Sequence, residues 1–299
     1  MSGTGSGIGL RLAATGLFAV MSLFVRLASL DAPVGQIVFW RSAVALLPIV
    51  LYMLWRREFP AALHTKRPLG HLKRSLYGCA AMFLSFLSLA HLPLALATAL
   101  GFLAPLLTIP VAVALLKERP GAVVVGAAVG GFAGVGLMLH PAFSAPALEA
   151  GTLIGVAAGV AMAVVTALAK VQIKTLTATE PASTIAFYFA VVCTIGGLLT
   201  LPFGWTFPSG EALLWLIGAG LAGGLAHICM TEALARAPAS ALAPFEYTAM
   251  LWALAFDALI FGLLPAPIGL AGAALVVAAS AVVAFADRLP VRRASKASP

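Results

Sequence analysis

Asparagine is absent from the sequence, and only 9% of its 299 residues are Asp, Glu, Lys or Arg. The first absence removes every N-glycosylation acceptor, which agrees with a bacterial origin. The second excludes an ordinary soluble domain, in which roughly a quarter of the residues carry charge. Cysteine is scarce: Cys79, Cys193 and Cys229 are an odd number without framework spacing and fall inside apolar segments, so they read as small buried hydrophobes and imply no disulfide scaffold. No Gly-Lys pair occurs, which excludes a Walker A loop and ATP-driven transport by this chain alone. Neither H-E-x-x-H nor G-x-S-x-G is present, so hydrolytic enzyme readings have no motif, and no metal or cofactor is expected. The G-x-G-x-x-G match from Gly218 to Gly223 lies in an apolar run with no strand before it, so the dinucleotide reading lacks its context.

What is present is apolar. Hydrophobic residues make up 62% of the chain and the mean hydropathy is +1.07. Short polar breaks cut this material into stretches that match the roughly 20 residues needed to cross a ~30 Å hydrocarbon core. Ten are expected: Ile8 to Ala28, Val34 to Trp55, Ser75 to His91, Pro93 to Leu116, Gly121 to Leu139, Gly151 to Val171, Ala182 to Phe203, Ala212 to Ala235, Ala239 to Leu263 and Ala266 to Ala286. The first residues run into the first stretch without a small-residue cleavage site, so that span is expected to be retained. The fold class that follows is an all-α membrane protein of about ten transmembrane helices.

The net charge of +8 reports orientation in a lipid bilayer rather than a nucleic-acid partner, because the basic residues gather in alternate loops. Arg56, Arg57, Lys66, Arg67, Lys73 and Arg74 fall in one of these. Lys117 and Arg119, Lys170 and Lys174, Arg236, and a tail with Arg288, Arg292, Arg293 and Lys296 follow, whereas the intervening loops hold Asp31, Glu149 and Glu211 and no basic residue. Lys and Arg resist translocation, which places both termini on the cytoplasmic side of a bacterial inner membrane and demands an even number of spans.

Sliding the chain against itself by about 145 positions lays Pro93 on Pro238, Pro120 on Pro265, Gly78 on Gly223 and Ala81 on Ala226. A slightly longer offset lays Ile37 to Trp40 on Ile185 to Tyr188. Two five-span repeats follow, residues 1–141 and 150–287, with 288–299 as a basic cytoplasmic tail. An odd number of spans per copy forces the copies into opposite orientations, the inverted-repeat plan of many secondary transporters. Glycines at four-residue spacing (126, 130, 134; 151, 155, 159; 220, 224) suit close helix packing better than a dedicated dimer face, so a monomer or weak dimer is expected. Pro48, Pro105, Pro110 and Pro244 lie inside spans and should kink them.

Ionisable groups inside spans are costly and point to function. Arg11 and Arg26 lie near the ends of the first span, where snorkelling explains them. Arg41 lies about seven residues, roughly 10 Å, below the outer boundary. It serves either a cavity or a structural hydrogen-bond hub. Glu246 and Asp257 are eleven residues apart, which returns them to one face of a continuous helix. Depth counting pairs His227 with Glu246 on the inner side and Arg41 with Asp257 on the outer side, all four facing a substrate path. A core histidine and an outward-snorkelling Asp257 are the structural alternatives. Trp40, Phe86, Phe102, Tyr247 and Trp252, with Phe18, are candidates for lining an apolar substrate pocket.

Phe39-Trp40-Arg41-Ser42, the run from Leu92 through Thr98 to Pro105, the ending Leu116-Lys117-Glu118-Arg119-Pro120 and the repeated halves together resemble the drug/metabolite transporter superfamily, in particular its EamA-type ten-helix carriers. Within it the chain is similar to bacterial YddG-type amino-acid exporters. The resemblance implies a central cavity lined by spans one to four and six to nine, with five and ten peripheral. It implies export of amino acids, aromatic or otherwise hydrophobic ones among them, or related small metabolites, by a carrier that is not an enzyme. Glu118 is not repeated in the second half, where Leu263-Leu264-Pro265 stands, which leaves it a structural role. Other readings are a channel or lipid-handling scaffold, and an intramembrane enzyme using Glu246 and Asp257.

Overall fold

Prolines set the starts of several helices in the computed structural model, which describes residues 2–104, 106–107, 122–143, 149–176, 180–236, 242 and 245–286. Pro33, Pro93 and Pro181 precede α2 (Val34–Trp55), α4 (Leu94–Gly101) and α7 (Ala182–Leu198), each with ψ near 150° so that the chain enters the helix from an extended residue. Pro68 is the first residue of α3 (Pro68–His91), where its missing N–H would have had no partner. The other helices are α1 (Ser2–Ala28), α5 (Ala122–Phe143), α6 (Ala150–Leu176), α8 (Gly210–Arg236), α9 (Thr248–Ile260) and α10 (Pro267–Ala286). A 3₁₀ turn, Ala61–Leu63, interrupts the α2–α3 connection, and no strand occurs among the described residues.

This is an all-α membrane protein. Gly5–Ala28, Val34–Trp55, Ala150–Ala169 and Gly210–Ala233 are each long and apolar enough to cross a bilayer, and α5, α7, α9 and α10 contribute shorter apolar segments. The outward flanks are greasy: Leu47, Leu51 and Leu54 on α2, Leu153 and Ile154 on α6, and Leu259 on α9 all stand exposed. Water would penalise so much apolar surface, whereas lipid tails accept it.

The helix contacts obey the symmetry of the repeat. Exchanging α1–α5 for α6–α10 turns the α1–α8 contact into α6–α3, α2–α8 into α7–α3, and α1–α9 into α6–α4, and all six contacts are present. The pairs α2–α7, α4–α9 and α5–α10 map onto themselves and are present too. Two inverted five-helix repeats therefore share one bundle, and the largest cluster of buried side chains draws on both. Helices α5 and α10 pack on each other at the edge, where Gly134 and Gly272 meet: a Cβ on Gly134 would stand 2.8 Å from the Gly272 carbonyl oxygen. Other strip glycines also pack inside the bundle, Gly155 against Leu92 and Gly220 and Gly224 against Val44 and Pro48, whereas a Cβ on Gly126 would meet nothing.

Several boundaries differ from expectation, among them α1, which starts at Ser2 rather than Ile8, and α6, which ends at Leu176 rather than Val171. Helix α3 starts at Pro68 rather than Ser75, because a helix continues past the apolar stretch that hydropathy detects. Helix α7 ends at Leu198, short of Phe203. Helix α9 starts at Thr248, with Tyr247 as its N-cap, so Glu246 and Asp257 do not share one helix. Pro105, Pro110, Pro238, Pro244, the Leu116–Pro120 ending with Glu118, and the tail 288–299 lie outside the described residues.

Candidate functional site

A cavity of about 300 Å³ lies between the repeats. Ser22 of α1, Ser85 of α3, Thr98 of α4 and Thr166 of α6 place hydroxyl groups in its wall, while Phe102 and Met162 add apolar surface. Glu246 completes it from the segment before α9. The expected Glu246–His227 pair does not form. Glu246 makes an ion pair with Arg11 of α1, and its side chain stays half exposed. Arg11 therefore does more than snorkel. Of the aromatic candidates, Phe102 lines the cavity and Tyr247 packs on it with ring centroids 5.5 Å apart. Phe86 is buried in the core, Trp40 packs edge-on against Phe39, and Trp252 is partly exposed with its indole against Gly16.

A second polar cluster is more deeply buried. Arg41 is 3% exposed, and its Nε donates to the Met21 sulfur at 3.5 Å. Arg74 of α3 lays its guanidinium over the Phe189 ring, 4.2 Å from the centroid, and its buried Nε and Nη1 find no hydrogen-bond partner. Both arginines lie within electrostatic reach of Cys193, which neighbours Cys79. His227 feels both arginines and packs edge-on against Phe18 at 5.2 Å. Hydropathy had left Arg74 in a basic loop. The signal that identifies it is helical continuity from Pro68, which carries it a turn and a half inside α3.

The expected Arg41–Asp257 pair does not form either. Asp257 is 2% exposed and caps α4 from the opposite repeat, its two oxygens accepting from the Leu94 and Ala95 amides at 3.0 and 2.7 Å. Pro93 brings no side-chain acceptor to that helix end, so two orphan donors and the positive pole of the helix attract the carboxylate. Arg26 lies within electrostatic reach of Asp257, donates to the Leu92 carbonyl oxygen and covers the Phe261 ring. Snorkelling describes neither residue.

Contacts join the repeats at both ends of the bundle. At the end that carries the basic loops, Glu180 accepts from Thr65 Oγ1 at 3.0 Å and from the Lys66 amide at 3.2 Å, with His71 Nε2 3.5 Å from its other oxygen. Burial alone would raise the Glu180 carboxyl, but these donors together hold it below its ordinary value. Ser183 donates to Glu58 at 2.8 Å, Tyr188 donates to the Leu63 carbonyl, and Glu232 binds both Tyr52 and Arg236. At the other end, the Gln36 amide donates to the Thr206 carbonyl oxygen at 2.8 Å and accepts from its N–H. Among the described residues no cluster of three metal-ligating side chains occurs.

Comparison with known proteins finds one family model, the EamA-like transporter family, matching twice, over residues 5–140 and 150–285. The pseudopaline exporter CntI of Pseudomonas aeruginosa is 30% identical over 286 residues, covering 92% of this chain and 94% of that one. A riboflavin transporter of Rhizobium johnstonii is 30% identical over 267 residues, 88% of this chain and 84% of its own. A solved crystal structure superposes with a TM-score of 0.68 at 20% identity, covering 95% of this chain and 98% of that one, a likeness of fold.

Proposed function

Because this chain belongs to the EamA-like transporter family, and is a transporter of small molecules rather than an enzyme, we propose that it is a secondary carrier that exports amino acids or related small metabolites by alternating access. The observation that carries the reading is the cavity between the repeats, of about 300 Å³ and therefore at the lower bound of small-ligand sites. Its hydroxyl groups suit polar substrate atoms, Phe102 and Met162 suit an apolar side chain, and the Glu246 carboxylate suits an ammonium group. Arg11 shares that carboxylate and orients it. In this reading the basic loops, and with them both termini, face the cytoplasmic side of the inner membrane, which the distribution of Lys and Arg favours.

Counterflow in proteoliposomes, with labelled amino acids, nucleosides and drugs and with or without a pH gradient, tests the reading. Saturable exchange stimulated by an unlabelled amino acid on the opposite side is expected. Flux that neither saturates nor shows counterflow would make the protein a channel, and an absence of exchange with any amino acid would remove the substrate class.

A further inference from the structure

Arg41 and Arg74 bury guanidinium groups for which no described carboxylate lies within ion-pairing distance. Around them stand the Met21 sulfur, the Cys79 and Cys193 thiols and the Phe189 ring, soft neutral surfaces that leave Arg74 Nε and Nη1 without any acceptor. The two cations feel each other's charge. In a low-dielectric interior such an arrangement combines repulsion with lost hydration, and no counter-ion offsets it.

We infer that Arg41 and Arg74 form an oxyanion subsite that takes the carboxylate or phosphate group of the transported molecule, a reading that rests on the carrier function proposed above. Guanidinium forks match such groups with paired hydrogen bonds. The repeat supplies support, since the equivalent glycines Gly78 and Gly223 each lie against one arginine and its packing partner. A Cβ on Gly223 would stand 2.9 Å from the Met21 sulfur and 3.0 Å from Arg41 Nε, and one on Gly78 would stand 2.7 Å from the Phe189 ring and 3.1 Å from Arg74 Nη1. The arginines come from α2 and α3 of the first repeat and meet α7 and α8 of the second, so a bound oxyanion bridges the two units that move against each other. On α1, Met21 touches Arg41 and the next residue, Ser22, lines the cavity, so one helix carries both a subsite contact and a chamber residue.

The test measures the unfolding temperature of the detergent-purified protein with succinate, glycerol 3-phosphate or L-phenylalanine, each against its counterpart without the oxyanion, succinamide, glycerol or L-phenylalaninamide, at equal ionic strength. At least one oxyanion probe is expected to raise it above that counterpart, and Arg41→Gln and Arg74→Met, checked for folding by gel filtration, are expected to weaken that probe's apparent affinity about thirtyfold or more. Arg74→Met is further expected to raise the unfolding temperature without any probe, because it removes an uncompensated buried cation, whereas a purely structural arginine would lower it. No shift with any of the three probes, a shift retained in both variants, or a destabilised Arg74→Met each overturns the subsite. Counterflow separates this from the carrier reading. Saturable exchange of amines or neutral compounds without an oxyanion response removes the subsite and leaves the carrier, and an oxyanion response without exchange does the reverse.

Discussion

At the scale of single residues, the in-span charges do different work. Asp257 is a helix cap: Asp257→Ala strands the Leu94 and Ala95 amides in a buried place and removes the carboxylate within electrostatic reach of Arg26. Two hydrogen bonds to a charged acceptor put the cost at about 3 kcal/mol, which lowers the unfolding temperature in detergent by roughly 5–10 °C. Asp257→Asn keeps one carbonyl acceptor and should recover about half of that. A fall below about 2 °C for the alanine variant would mean that the cap contributes little. The sequence marks Asp257 and Arg41 as exceptional because charge in an apolar run is rare, but it does not identify their partners. Those depend on which helix of the other repeat lies opposite, and the donors that Asp257 reaches are backbone amides that no side-chain pattern reveals.

At the scale of elements, connections between helices are joined across the repeats. Glu180, between α6 and α7, holds the α2–α3 connection through Thr65, the Lys66 amide and His71. Its carboxyl sits below the ordinary range in the folded protein, so the stabilisation is full above the unfolded value of about 4.3 and is lost as pH falls through the lower folded value. Glu180→Gln is therefore expected to be less stable than wild type by about 1–3 kcal/mol at pH 7, with the gap closing as the pH is lowered below about 4. Unfolding curves of both proteins across that range decide it, and a gap that stays constant or widens in acid would exclude the charge as the source. The helices themselves were legible from hydropathy, since α2 runs over the expected Val34 to Trp55. The basic first turns of α3 were not, because a helix end is set by Pro68 and backbone bonding rather than by apolarity. That single boundary hid Arg74, the residue that changes the reading of the interior.

At the scale of the molecule, the repeats are tied at both ends. Ser183 binds Glu58 at the basic end, and Gln36 exchanges two hydrogen bonds with the Thr206 backbone at the other. In the alternating access proposed above, rocking of one repeat against the other must break one set while the other holds, since a path open at both ends at once would leak and one closed at both ends would trap its cargo. Inverted symmetry makes the two closures topologically equivalent but chemically different, and the sequence repeat alone says nothing of their residues. Paired cysteines test the consequence in a background of Cys79→Ala, Cys193→Ala and Cys229→Ala. Glu58→Cys with Ser183→Cys locks the basic end, and Gln36→Cys with Thr206→Cys locks the other, each joined by a short thiol-specific cross-linker. Either lock alone is expected to abolish counterflow, and cleaving the linker is expected to restore it. Exchange that persists with one end locked would mean that substrate passes without the repeats parting there, and rigid-body alternation would give way to a lateral or channel-like route.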